Sequence, residues 1–479
     1  MHKVRVRFAP APTGMMHLGN IRSALINALY AARYYGTLIL RIEDTDTQRN
    51  YDPEAQHIQA DLAWLGLTFQ EGPGIGGPHE PYFQSQRGAL YAAKLQYLID
   101  NGYVYRCFCQ ENELERKREM QKALKLPPRY DRTCMHLTKD QIEKLCADNR
   151  PFVWRFKLDH AQTIIINDLS HGNVTFELKH FSDFPLTRQD GTVTFIFANC
   201  VDDIDMAITH IFRGEEHMSN TACQAALYYA FGVPLATYWH LPLLCNANGK
   251  KLSKRDFGFS LRDLKDAGFV PEAILNYLAI IGASYPDEIM SFNQLVNTIE
   301  LEQPTKVGYI TYDVEKFRWV NRKWLERYTP EQLYERVLPF LHAAYPTIDS
   351  INQKQIEQAL QLAKTEMVTL ADAVPLLRYS IHAPETTKTD VLACIDETYI
   401  PQVLAIMQKT IPTLHTGNFT DAFKSEARAH QIPLKPIFWF IRLALTGKTD
   451  GPAIHELITI LGISETQKRI ERLMDIIRT

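Results

Sequence analysis

The first 42 residues constrain the fold more than any other stretch of this chain. Val4, Val6 and Phe8 alternate with Lys3, Arg5 and Arg7, a period of two that predicts a strand. A turn rich in proline and glycine follows, Ala9-Pro10-Ala11-Pro12-Thr13-Gly14. A helical run over Ile21–Tyr35 comes next, ended by Gly36, and then a β-rich segment, Thr37–Ile42. Together they make one βαβ unit, the start of a doubly wound nucleotide-binding fold, in which ligands sit beyond the carboxyl ends of the strands. Those ends carry Arg7 to Gly19 and Glu43-Asp44-Thr45-Asp46.

A chain of 479 residues allows about three domains. Its 46% apolar content suits buried cores, and no run reaches the ~18 apolar residues of a membrane span. The most apolar segment, Ile437–Leu445, is short and carries Arg442. With no charged leader and apolar signal core at the start, a cytoplasmic location without membrane partners is expected. The net charge of −3 is silent about nucleic acid, because a local basic face is averaged away over a long chain. Eight cysteines in this length do not form a disulfide scaffold.

A Gly/Pro-rich loop, 72–81, breaks the first pattern. Beyond it lie a cysteine cluster, a charged helix expected over Glu111–Lys125 and β-like pieces such as Val153–Leu158; about 91–190 reads as an α+β insertion. Alternating and apolar segments resume at Val193–Val201 and run to a loop opened by Gly249. From about 325 the pattern is helical, with Ile356, Leu360, Ala363, Met367 and Leu370 recurring at steps of four and three. The expected division is 1–90 and 191–255 for the two halves of the catalytic domain, 91–190 for the insertion, 256–324 for a connecting subdomain and 325–479 for an all-α region.

Three constellations carry chemistry. His17-Leu18-Gly19-Asn20 stands where a strand's loop enters a helix, a place where backbone N–H groups and the helix dipole attract phosphate. Taken alone it is equally a helix cap. Lys251-Leu252-Ser253-Lys254-Arg255 puts three cations and a hydroxyl in five residues, suited to closing on a polyphosphate, although any charge run is more often a solvated loop. Cys107-Phe108-Cys109 is followed, after 24 residues, by Cys134-Met135-His136, a donor set for a closed structural zinc site.

The first two constellations together resemble the paired ATP signatures of the class I aminoacyl-tRNA synthetases, HIGH and KMSKS. Phe8–Gly14, Arg41–Asp46 and Arg213-Gly214-Glu215-Glu216-His217 are similar to the glutamyl/glutaminyl branch. Leu65-Gly66-Leu67, Val201-Asp202-Asp203 and Ala444-Leu445-Thr446-Gly447 extend the likeness over nearly the whole chain. The helical C-terminal third resembles bacterial-type glutamyl enzymes rather than the β-barrels of the glutaminyl ones. The resemblance implies a Rossmann-type catalytic domain, the zinc-containing insertion and a helical anticodon-binding region. It further implies a monomer that joins glutamate to tRNA(Glu) with ATP and Mg²⁺. Alternatives are a relaxed enzyme that also charges tRNA(Gln), or an inactive tRNA-binding paralogue.

By the same resemblance Pro10, His17, Gly19, Asn20, Glu216 and His217 hold ATP, and Lys251, Ser253, Lys254 and Arg255 act on the phosphates. Arg7 and Arg213 are the glutamate-binding cations, the alternative for both being a structural salt bridge. Glu43 takes the ammonium, and Ala9, Phe195 and Asn199 complete the amino-acid site. Tyr130 is a rival to His136 as fourth zinc ligand. Three departures stand out: Ala11 replaces a usual serine, Phe195 a usual tyrosine, and Glu366 stands near the place of an arginine that reads the third anticodon base. Arg116, Lys117, Arg118, Lys122 and Lys125 are candidate phosphate contacts or a solvated helix face.

Overall fold

The computed structural model describes residues 3–46, 50–253, 255–301, 308–416 and 419–479. It divides into two compact units, Met1–Asp266 with Pro271–Phe317, and Ala267–Val270 with Arg318–Thr479. The strands are β1 (Arg5–Phe8), β2 (Thr37–Leu40), β3 (Val104–Cys107), β4 (Val153–Phe156), β5 (Thr163–Asp168), β6 (Gly172–Glu177), β7 (His210–Gly214), β8 (Thr237–Leu241), β9 (Leu243–Cys245) and β10 (Tyr309–Thr311). The helices that shape the first unit are α1 (Leu18–Arg33), α2 (Gln56–Trp64), α3 (Gly88–Asp100), α4 (Glu111–Ala123), α5 (Lys139–Ala147), α6 (Phe195–Asp205) and α7 (Met218–Ala230).

β1 pairs with β2 in parallel, and on its other side the Thr209 N–H donates to the Arg5 carbonyl at 3.0 Å, just before β7 begins. β7 pairs in parallel with β8, β8 meets β5 in parallel at Asp168 and Tyr238, and β6 adds antiparallel to β5. The chain therefore leaves β1 in one direction to β2 and in the other to β7. That is the topological switch point at which an open α/β sheet holds its ligand.

The βαβ start stands as expected, with shifted edges. α1 begins at Leu18 because His17 caps it: the ring Nδ1 accepts the Asn20 N–H at 3.4 Å while Asn20 Oδ1 accepts the His17 N–H at 3.3 Å. At the other end Tyr35 takes the left-handed φ of +50°, not Gly36. Gly36 serves close approach instead, since a Cβ there would lie 2.6 Å from the Val4 carbonyl oxygen. Val193–Val201, an apolar run of no clear period, leads into helix α6, whose Phe197, Ala198, Cys200 and Val201 are all buried. β5 and β6 fall in the stretch expected to be inserted, yet they belong to the same sheet as β7 and β8.

The second unit is helical throughout its described residues from 318 onward. The face predicted from Ile356 outlasts its helix: Gln353–Ala363 ends first, and Met367 and Leu370 stay buried in the turn that follows. Asn321, fully buried, ties this turn to the preceding segment: its amide donates to the Val368 carbonyl at 2.6 Å and its oxygen accepts the Val270 N–H at 2.9 Å. Among the described residues no helix is long and apolar enough to cross a membrane.

Candidate active site

A cavity of about 380 Å³ opens at the switch point. Its wall takes Arg7 and Phe8 from the end of β1, His17 to Asn20 from the start of α1, Arg213 and Gly214 from the end of β7, and Leu241 to Leu244 from the end of β8 into β9. Ala9, Glu43, Phe195, Asn199, Glu216, His217 and Lys251 complete the predicted set in this wall. Pro10 and Ala11 line a neighbouring hollow that shares His17 and Asn20.

At the α1 end, burial lowers the His17 pKa, with Lys251 adding to the effect. Since Nδ1 accepts the Asn20 N–H, the neutral ring carries its proton on Nε2 and offers one donor. Gly19 keeps this space open, as a Cβ there would sit 3.1 Å from the imidazole. Phe259 stacks on the same ring at 5.2 Å.

The opposite end is built from buried charge. Asp203 of α6 accepts from Arg7 Nε at 3.0 Å and from Arg41 Nη1 at 2.6 Å. Although burial pushes Asp203 upward, these two guanidiniums hold it below the usual carboxylate range. Asp202, the neighbouring carboxylate, accepts from Arg87 Nε at 2.7 Å and from the Tyr91 hydroxyl at 2.9 Å. Arg7 thus lines the cavity while paired with a carboxylate, the salt bridge that the sequence left as the alternative for it. Glu43 accepts from Asn199 Nδ2 at 2.5 Å and from Arg41 Nη2 at 3.2 Å, and burial raises its pKa against the pull of Arg41 and Arg7. Gln224 Nε2 in turn donates to the Asn199 oxygen at 3.0 Å.

Arg213 differs from Arg7. Among the described residues only its Nη2 finds a partner, donating to Thr221 Oγ1 at 2.6 Å, while Nε and Nη1 are buried with none. Phe195 packs against His217 with ring centres 5.5 Å apart, and burial lowers the His217 pKa to about 4. A carboxylate of the substrate would satisfy the bare guanidinium, and an ammonium would satisfy Glu43.

The Gly249 loop reaches the cavity at Lys251, whose Nζ is 3.8 Å from Glu216. Ser253 is held within the loop, its hydroxyl donating to Asp256 at 2.9 Å. Arg255 is exposed and does not line the cavity, and Lys254 lies outside the described residues. Sequence reasoning missed Arg22, a buried cation of α1 in the wall, whose Nη1 donates to the Pro242 carbonyl at 3.4 Å and whose pKa burial lowers to about 10. Its spacing one turn beyond Leu18, on the cavity side of α1, was the available signal.

In the region 91–190, Cys107, Cys109 and Cys134 place their sulfur atoms within 4.8 Å of one another. β3 delivers Cys107 and a short helical turn delivers Cys134. His136 is exposed and is not brought to this cluster. The position expected of it is filled by the Tyr130 hydroxyl, 3.3 Å from Cys107 Sγ and 3.7 Å from Cys109 Sγ. His136 follows Cys134 by two residues on the same 3₁₀ turn, and there its side chain faces solvent. Three thiols this close can hold a metal ion, with the Tyr130 oxygen beside them as a fourth donor atom.

On α4, Lys117 pairs with Asp131 at 2.8 Å, Arg118 with Glu115 at 3.4 Å and Lys122 with Glu119 at 2.7 Å. Exposed pairs of this kind are weak, so a phosphate can compete for these cations. In the helical unit, Glu366, Arg378, Tyr379 and His382 share a second cavity, of about 460 Å³, with Thr446, Gly447 and Lys448.

Residues 3–326 match the family described as "tRNA synthetases class I (E and Q), catalytic domain", and residues 332–474 match "Anticodon binding domain". The chain belongs to the class I tRNA synthetases of the E and Q type. The glutamate–tRNA ligase of Carboxydothermus hydrogenoformans is 36% identical to it over 98% of this chain and 100% of the relative. That of Anaeromyxobacter sp. is 36% identical over 99% of each. Among solved structures, a glutamate tRNA ligase from Elizabethkingia meningosepticum in complex with its amino acid is similar, with a TM-score of 0.88, 29% identity and 99% of each chain covered. A glutamate-tRNA synthetase from Elizabethkingia anophelis gives 0.85, at 29% identity over 99% of this chain and 100% of the other. The cavity lies at the switch point of the sheet, where an open α/β fold holds its ligand.

Proposed function

We propose that the chain is a glutamate–tRNA ligase, activating L-glutamate with ATP and Mg²⁺ and passing it to the terminal adenosine of tRNA(Glu). One observation carries the reading. The cavity puts two buried arginines, one of them half unpaired, beside a glutamate, with a histidine-capped helix start at the other end. Such a site binds an amino acid with an extra carboxylate beside a polyphosphate.

An α-carboxylate oxygen of glutamate attacks the α-phosphorus of ATP, and the bond to pyrophosphate breaks. Arg213 and Arg7 hold the side-chain carboxylate, and Glu43 with Asn199 holds the ammonium, which fixes the attack geometry without a protein nucleophile. The His17 Nε2–H and Lys251 meet the phosphate charge, joined by Lys254 from the same loop. Ser253 and Arg255 shape that loop. Pro10, Gly19, Asn20, Glu216 and His217 border the nucleotide. The ribose hydroxyl of the tRNA then attacks the acyl carbon and AMP leaves.

Cys107, Cys109, Cys134 and Tyr130 would hold zinc, which supplies cross-linking of β3 to the following turn rather than chemistry. The 91–190 region serves the acceptor end, 256–324 the stem and 325–479 the anticodon, in a cytoplasmic monomer. The second cavity, with Glu366, is the place where an unpaired base would enter. Glutamate charging at saturating ATP, compared between the parent and Arg213→Ala, tests the assignment; unchanged charging would contradict it.

A further inference from the structure

Behind Arg213 runs a chain of buried groups that does not touch the cavity. Asp168, at the end of β5, accepts from His240 Nδ1 at 2.7 Å and from the His240 backbone N–H at 3.0 Å. His240 Nε2 lies 2.8 Å from Thr221 Oγ1 on α7, and Thr221 Oγ1 accepts from Arg213 Nη2 at 2.6 Å. Asp168, His240 and Thr221 are at most 1% exposed, and none of the three lines the cavity.

The protons in this chain have one arrangement. Asp168 also accepts from the Ser170 N–H and hydroxyl and from the His171 N–H, so it stays ionised and takes the Nδ1 proton of His240 in a hydrogen bond. Burial and the charge of Arg213 keep the imidazole neutral. Its Nε2 is then an acceptor, and the Thr221 hydroxyl hydrogen points to it rather than to the His217 carbonyl at 3.2 Å. The hydroxyl lone pairs are left for the guanidinium.

We infer that Asp168, His240 and Thr221 are positioning residues that fix Arg213 through a single N–H, so that its Nε and Nη1 stay bare for the carboxylate of the amino acid. A carboxylate partner would pin Arg213 just as firmly and would neutralise it. A hydroxyl pins it and leaves the charge for the ligand. This arrangement sets substrate affinity from a distance, as hydrogen-bonded supports do for directly bound groups. The inference rests on the assignment of Arg213 to the substrate carboxylate.

Thr221→Val keeps the shape and removes the hydroxyl. In tRNA charging with ATP and tRNA saturating, it should raise the glutamate KM about tenfold, the scale of one hydrogen bond to a charged group. The kcat should stay within about threefold and the ATP KM within about twofold, and Thr221→Ser should restore the glutamate KM. Should Thr221→Val fail to fold, Thr221→Ala reports the same loss. Arg213→Lys, measured beside them, separates the two claims. If it raises the glutamate KM while the Thr221 variants do not, or if they raise the ATP KM equally, the relay is overturned and the carboxylate assignment survives. If Arg213→Lys leaves the glutamate KM unchanged, both fall.

Discussion

Arg213 and Glu43 bear the heaviest demand at the level of single residues, because each is buried with a charge that the fold only partly answers. Removing Arg213 as alanine should lower kcat/KM for glutamate by about 30- to 150-fold, equivalent to ~2–3 kcal/mol, with the ATP KM little changed. Glu43→Gln keeps the volume and the Asn199 contact and loses the charge, so its glutamate KM should rise about tenfold. Phe195 lines the same wall without a polar atom, and Phe195→Tyr should lower the glutamate KM several-fold if a hydroxyl there meets the substrate; steady-state charging measures all three. Burial also sets the response to acid. His210 and His217 are both held at about 4, below the ~6.5 of an unfolded histidine. A histidine with a lowered folded pKa contributes stability that is complete above pH 6.5 and lost as the pH falls toward 4, because the unfolded chain binds the proton first. At pH 5 each should cost roughly 1 kcal/mol, discounted for partial exposure, and His210→Gln should flatten the fall in chemical-denaturation midpoint between pH 6.5 and 5.

Single elements explain why some of the site was readable from residue order and some was not. The helix start at His17 was legible because its signal is local: a cap, a glycine and an amphipathic run lie within one turn. Gly36 was legible as an end to the helix but for another reason than its φ, and Gly36→Ala should cost about 1–3 kcal/mol in thermal unfolding through its clash with Val4. α6 was hidden because Val193–Val201 is apolar at nearly every position, so neither period stands out once a helix is buried on most faces. Asp203, the partner of Arg7 and Arg41, lies 196 residues from Arg7, and no local pattern announces such a pair. The cysteine cluster was legible in its spacing, while the choice between His136 and Tyr130 beside it depended on which side of a short turn faces inward. Metal analysis should find one zinc per chain, lost in Cys109→Ser. Tyr130→Phe should weaken zinc affinity at least tenfold and His136→Ala should leave it within about twofold. Zinc loss should raise the tRNA KM and make residues 91–160 sensitive to limited proteolysis, with ATP binding unaffected.

The first compact unit carries the cavity at the switch point of the sheet, and the helical unit carries a cavity of its own. With a net charge of −3, phosphate must be met by local cations, so raising salt from 50 to 200 mM should weaken tRNA binding steeply while the glutamate KM moves little. The central claim is tested most directly by charging labelled glutamate onto separate glutamate and glutamine tRNA transcripts, with ATP, Mg²⁺ and a Lys254→Ala control. The glutamate transcript should be charged, with the rate reduced about 100-fold or more in the control, on the scale of losing a group that stabilises transition-state charge. Charging of the glutamine transcript as well would mark the relaxed form of the same enzyme. Charging of neither transcript, with tRNA still bound, would contradict the account and leave an inactive tRNA-binding paralogue.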